Sequence, residues 1–179
     1  MVLVYLVLDQ ARYTPYDAHY LPGPATPLTR LSEPKNYRDG PDPPDRTVLC
    51  AELPAWVGDG LWSRDDADLA RLVADTLLDL DLPAVHPVAH AVQRRPAVYP
   101  VLRVGGEGAW DVVERHLRDL AARDRIVSFG RQGLHAHDNT HHALAMAWEA
   151  VACLDPTGRF DTPRWSGALA AFARHVVED

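Results

Sequence analysis

The residue types best suited to chemistry are concentrated between Ile126 and Ala147, in the run Ile-Val-Ser-Phe-Gly-Arg-Gln-Gly-Leu-His-Ala-His-Asp-Asn-Thr-His-His-Ala-Leu-Ala-Met-Ala. Branched and aromatic residues running into glycine predict a short strand over 125–130, then a polar loop over 131–138 and a helix from Asn139. A helix start exposes amides that have no intrahelical acceptor and carries the positive end of the helix dipole. Gly130, Arg131, Gly133, Asp138, Asn139 and Thr140 therefore form a setting suited to an anionic or electron-rich ligand.

The histidines of the same stretch need separate weighing. His135, His137 and Asp138 with His141 and His142 have a density that suits zinc, and superficially resemble the His-x-His-x-Asp-His ligand run of metallo-β-lactamase-like hydrolases. The spacing departs from that run, and no upstream acidic and histidine ligands complete it. No metal is expected, and the cluster reads as a loop and helix cap. Candidates for proton transfer are His19, Tyr20, Glu33, Lys35 and His135, which have titratable side chains but no distinguishing spacing. Tyrosines in a proline-rich β region more often pack, with a solvated hydroxyl. There is no nucleophile elbow with a Ser-His-Asp order, no activated cysteine context and no phosphate-binding P-loop.

The elements that must position these residues are legible in outline. Val2 to Leu8 is short and rich in Val and Leu, which predicts a strand buried on both faces. It lacks the basic region and cleavage site of a secretory signal and is too short to span a bilayer. A domain that opens in such a strand looks like one that begins in its middle. Further strands are expected over 18–21, 28–32, 46–53, 85–95 and 97–104. Ser63-Arg-Asp-Asp predicts a capping box for a helix reaching about Asp81, with Leu69, Leu72, Val73, Leu77 and Leu80 at helical spacing. Gly105-Gly106 leads into a second helix with Trp110, Val113, Leu117 and Leu120 on its buried stripe. The helix from Asn139 to Leu154 carries Leu144, Ala147, Val151 and Leu154 on one face. Thr162 and Pro163 supply the N-cap and first residue of a terminal helix with a stripe of Trp165, Leu169, Phe172 and Val176.

The chain has 179 residues, 47% of them apolar, which suits one globular domain with a sizeable core. With 18 basic and 25 acidic residues the net charge is -7, and no cationic stripe is available to nucleic acid. Two cysteines, Cys50 and Cys153, are too few for a disulfide framework and point to a reducing cytoplasm.

The strand, Gly-Arg-x-Gly loop and helix of 126–147 are similar to the last strand, loop and helix of the FAD-dependent amine-oxidase and protoporphyrinogen-oxidase superfamily. They also resemble UDP-galactopyranose mutase. The Val2–Leu8 run, Tyr16-Asp-Ala-His-Tyr, Arg30-Leu-Ser-Glu-Pro-Lys-Asn-Tyr, Thr47-Val-Leu-Cys-Ala-Glu and Tyr99-Pro-Val extend the likeness, in order, from Met1 to about Leu154. The resemblance implies an α+β fold with a mixed, largely antiparallel sheet covered by helices. It implies one domain over 1–179: 1–124 like the substrate domain, 125–154 a remnant of the FAD-domain strand, loop and helix, and 155–179 a terminal helix. It also implies that the start of the Asn139 helix faces a flavin pyrimidine ring.

The Gly-x-Gly-x-x-Gly turn that holds the FAD pyrophosphate is not found. Gly106-Glu-Gly-Ala-Trp-Asp111 has the right strand-to-helix context, but Asp111 replaces the third glycine and Glu107 repels phosphate. The expectation is a truncated relative that binds no cofactor autonomously and takes up FAD only if a partner chain supplies the nucleotide-binding half. Such a chain would bind a small hydrophobic metabolite and, active alone, catalyse a redox-neutral isomerisation or cyclisation. The alternative is a non-catalytic or partner-dependent subunit of a split oxidoreductase. A homo-oligomer or partner subunit is expected, with no nucleic acid or membrane contact.

Overall fold

β1, Val2–Leu8, is an interior strand of the sheet, and its alternate residues meet two different needs. Val2, Val4, Leu6 and Leu8 are at most 1% exposed, whereas the opposite face is only half-buried. The expectation of burial on both faces therefore holds for one. We describe the fold from a computed structural model over residues 1–124 and 126–177. Its strands are β1, β2 (Ala18–Tyr20), β3 (Arg30–Ser32), β4 (Thr47–Leu53) and β5 (Pro87–Arg94), and its helices are α1 (Asp66–Asp79), α2 (Glu107–Asp124), α3 (Gly130–Gly133), α4 (Thr140–Ala152) and α5 (Thr162–Phe172).

The strands form one sheet in the order β2-β3-β4-β1-β5. β1 pairs antiparallel with β4, Val2 opposite Leu53, and with β5, Val2 opposite Arg94. Every pairing among the described residues is antiparallel, so the expected mixed character is not found and the α+β class stands. The buried face of β1 and β4 packs on Leu69, Val73 and Leu77 of α1. The N-cap of α1 is Asp65, whose carboxylate accepts from the Ala67 amide at 2.9 Å, and not Ser63. An aspartate adjoining the first turn caps a helix as well as serine does and also favours the dipole.

The chain divides into two compact units, Met1–Val98 and Tyr99–Asp179. The first holds the sheet and α1. The second is helical, with a smaller core in which Ala121, Ala150, Cys153, Trp165 and Leu169 meet. No helix among the described residues is long and apolar enough to cross a membrane.

Several expectations are corrected. The stretch 97–104 is not a strand: Pro96 and Pro100 remove backbone donors and Ala97 takes a positive φ of 51°. Ile126 to Phe129 is irregular, and Arg125 lies outside the described residues. With no strand beside it among the described residues of its unit, this segment packs side chains instead: Val127 joins the helical core and the Phe129 ring lies edge-on to Trp165 at 6.3 Å. The expected polar loop begins with the single turn of α3. In α2, Val113 is exposed while Trp110, Leu117 and Leu120 are half-buried. α5 is capped by Asp161, which accepts from the Arg164 amide at 3.0 Å, and Val176 lies exposed beyond its end.

α4 gives the most informative correction. Its buried residues are His142, Met146 and Ala150, whereas Leu144, Val151 and the neighbouring Leu154 are exposed. The Ala-rich sequence leaves α4 without a polar face, so hydrophobic periodicity cannot choose which side faces the core.

Candidate functional site

The six residues singled out as cofactor-facing lie in one continuous turn and helix start within the second unit. Gly130 has φ 83°, which favours glycine, and its N–H donates to the Met146 sulfur at 3.2 Å, tying the turn to α4. Gly133 makes a close approach: a Cβ there would lie 2.7 Å from the Ser128 Oγ, which donates to the Gly133 carbonyl at 3.0 Å, so a larger residue would turn that hydroxyl out of its hydrogen bond. The Arg131 guanidinium donates through Nε to the Asp138 carbonyl at 2.7 Å and lies over the Tyr99 ring, 4.8 Å from its centre. It thus braces the loop rather than standing ready for a phosphate.

At the end of this loop Asn139 is the N-cap of α4 and Thr140 its exposed first residue. The Asn139 backbone N–H donates to Nδ1 of His142 at 3.1 Å, which places the proton of a neutral His142 on Nε2, 3.1 Å from Nε2 of His141. Burial, reinforced by His141 and His175, holds the His142 pKa below the ordinary imidazole value against the pull of Asp138. The Asp138 side chain turns inward. It is 3% exposed, and its Oδ1 lies 3.5 Å from His142 Nδ1 and 3.7 Å from Nδ1 of His175, beyond α5. Sequence reasoning missed His175, which is remote in the chain and belongs to no motif.

His135 and His137 do not join this cluster. His137 is exposed, and His135, at a positive φ of 51°, stacks on Trp110 with ring centres 5.5 Å apart. His135 and Trp110 line an open groove of about 510 Å³ with Val101 and Leu102.

In the first unit the remaining candidates staple loops. Glu33, 3% exposed, accepts from the Tyr13 and Thr14 amides, from Thr47 Oγ1 at 2.6 Å and from Asn36 Nδ2 at 3.1 Å. Lys35, in a 3₁₀ turn over Pro34–Asn36, donates to the carbonyls of Ala11, Pro43 and Arg46. His19 Nε2 is 2.9 Å from Thr14 Oγ1, and Tyr20 is exposed with Arg30 6.0 Å from its ring centre. These groups are drawn into main-chain hydrogen bonding and surface contacts rather than into one shared cavity. Cys50 and Cys153 are free thiols whose pKa values are pushed up by burial, the opposite of an activated nucleophile.

No protein-family model matches the sequence and no curated protein is similar to it. Solved structures are similar. A protoporphyrinogen oxidase-like protein from Exiguobacterium sp. 255-15 matches 68% of this chain and 27% of its own, at 20% identity and a TM-score of 0.51. Reduced UDP-galactopyranose mutase matches 97% of this chain and 37% of its own, at 18% identity and a TM-score of 0.69. The chain spans less than two fifths of either protein, and at these identities the likeness is one of fold. The chain therefore has the fold of a part of each of these two proteins, the resemblance that its glycine-rich loop and helix start first suggested.

Proposed function

We propose that this chain contributes the substrate-side sheet and the flavin-facing loop and helix start of an FAD-dependent oxidoreductase-like protein. The grip on the cofactor's pyrophosphate and ribose then comes from further polypeptide, in the same protein or in a partner. The observation that carries this reading is the outer face of α4, where Leu144 is 65%, Trp148 81% and Val151 69% exposed. A contiguous apolar stripe on a helix whose opposite face is already packed is a surface that another element covers. The loop suits a planar, electron-rich ring edge: two glycines keep its backbone low, and the capping box of Asn139 and His142 takes up only the N-cap and third amides at the start of α4. Neither a dinucleotide-binding turn nor an uncommitted arginine at the loop is available to hold a pyrophosphate.

The test is an absorption spectrum of the purified chain with and without FAD, together with its sedimentation behaviour. The chain alone is expected to be colourless, to bind FAD weakly, and to self-associate at micromolar concentration until Trp148→Ser breaks the stripe. A monomer that purifies with stoichiometric flavin would overturn the need for a second half.

One feature favours a ligand in addition to flavin. The groove beside His135 and Trp110 is of ligand size and largely apolar, with Arg103, Asp111 and His135 as its ionisable groups, which suits a small, mainly hydrophobic metabolite with a polar handle. In a flavin-free form a redox-neutral isomerisation or cyclisation is the reaction such a groove could serve. A fluorescent apolar probe should bind there and lose affinity in Trp110→Ala. Unchanged binding in that variant would remove the groove from consideration.

A further inference from the structure

The loop before α4, the first turn of α4 and the segment after α5 bring together the side chains of Asp138, His142 and His175; of these only Asp138 was singled out as cofactor-facing, and its carboxylate turns inward instead. Asp138 Oδ2 and His175 Nδ1 are both buried and have no hydrogen-bond partner among the described residues. A carboxylate oxygen and a ring nitrogen taken out of water without a hydrogen bond cost stability, and in native proteins such atoms call for a specific explanation. We propose that Asp138, His142 and His175 bind a divalent first-row transition-metal ion through two imidazoles and one carboxylate, with the remaining coordination positions open to water or an external ligand.

The geometry is close to what such an ion requires. One donor atom from each residue lies within 4.8 Å of the others. The Asp138 Oδ1 distances of 3.5 Å to His142 Nδ1 and 3.7 Å to His175 Nδ1 are near the edge of a tetrahedron, roughly 3.4 Å, about an ion with ~2.1 Å bonds. Two nitrogens and an oxygen without thiolate select zinc, cobalt, nickel or ferrous ions over soft cuprous copper. The supporting shell is in place, because Arg131 fixes the Asp138 carbonyl and so the direction in which its side chain leaves the backbone. Two adjustments accompany binding. The His142 and His175 rings now stack 4.5 Å apart at 19°, and an ion in line with both lone pairs opens that stack. His175 lies in irregular chain after α5, and its ring, which also packs on Phe172 with centres 5.4 Å apart, turns within that contact. His142 Nδ1 exchanges the Asn139 amide for the ion.

This proposal is independent of the flavin reading, since a chain that never meets FAD retains all three ligands. The test is a Co²⁺ titration of the full chain after chelator treatment, followed by Zn²⁺ competition. The expected result is a visible ligand-field spectrum that saturates at one equivalent and is displaced by Zn²⁺. His175→Ala and Asp138→Asn should each weaken binding by at least about tenfold, and His137→Ala, which removes an exposed loop imidazole, should change it less than about twofold. Circular dichroism in chelator confirms that each variant keeps its helices. Should Asp138→Asn fail to fold, His175→Ala, beyond the last helix, decides. A folded wild-type chain with no saturable Co²⁺ spectrum would overturn the proposal. So would a spectrum that survives His175→Ala but is lost in His137→Ala.

Discussion

Tyr13 is 8% exposed, donates its hydroxyl proton to the Pro83 carbonyl at 2.7 Å and gives its backbone N–H to Glu33 at 2.9 Å. Burial, and then the Glu33 charge, push its pKa up from 10.0 to about 12. A folded-state pKa above the unfolded one means that the stabilisation is complete below pH 10 and is lost as the pH rises through 12. Base titration of the wild-type chain should therefore show a loss on the order of 2–3 kcal/mol across that window, followed by tyrosinate absorbance and circular dichroism. Tyr13→Phe should be less stable by ~1 kcal/mol at neutral pH, through the lost bond to Pro83, and should lack Tyr13's part of the alkaline loss. An unaltered alkaline profile in the variant would place the titrating group elsewhere. The same neighbourhood shows what residue types alone conceal. Glu33 and Lys35 have the chemistry of catalytic groups, but several loop segments, not readable as neighbours in the sequence, fold back to occupy their hydrogen-bonding capacity.

Helix α4 divides its apolar residues between two roles, and substitutions can separate them. Met146 is fully buried and its sulfur accepts from the Gly130 amide, whereas Trp148, two residues on, is 81% exposed. Met146→Ala should cost ~2–5 kcal/mol in urea unfolding of the second unit. Trp148→Ser should stay within about 0.5 kcal/mol under conditions where the chain is dispersed, while reducing self-association. Equal destabilisation by both would mean that the outer face is already packed. The contrast explains which elements were legible in advance. α1 carries apolar residues at helical spacing and β1 and β4 are short apolar runs bounded by turn-forming residues, so their ranges could be read closely, although the continuous run of β1 hid which of its faces is buried. The strand expected over 125–130 was inferred from branched and aromatic residues running into glycine, and among the described residues of its unit Ile126–Phe129 has no strand to pair with. The face of α4 was ambiguous because apolar residues surround it, and His175 was invisible because nothing local ties it to Asp138.

At the scale of the molecule, the two units differ in how well each buries its own core. The first closes its sheet under α1 with Val2, Val4, Leu6, Leu49, Leu53 and Leu69 all at 0% exposure. In the second, Met146 is the one large side chain among the described residues with less than 2% exposure, and Leu144, Trp148 and Val151 are left outside. Between the two cores, residues 99–106 have no regular structure and are almost wholly exposed, with Arg103 ahead of the Gly105-Gly106 turn. Exposed irregular chain is where a protease gains entry, since cleavage needs a stretch that can be pulled into an extended form. Limited trypsin treatment should cut first at Arg103, leaving a fragment that ends there and keeps a cooperative thermal transition. The complementary fragment should be degraded faster, because less of its apolar surface is buried and local opening costs less. Loss of the amino-terminal fragment at the same rate as the rest would show that the sheet and α1 do not stand alone.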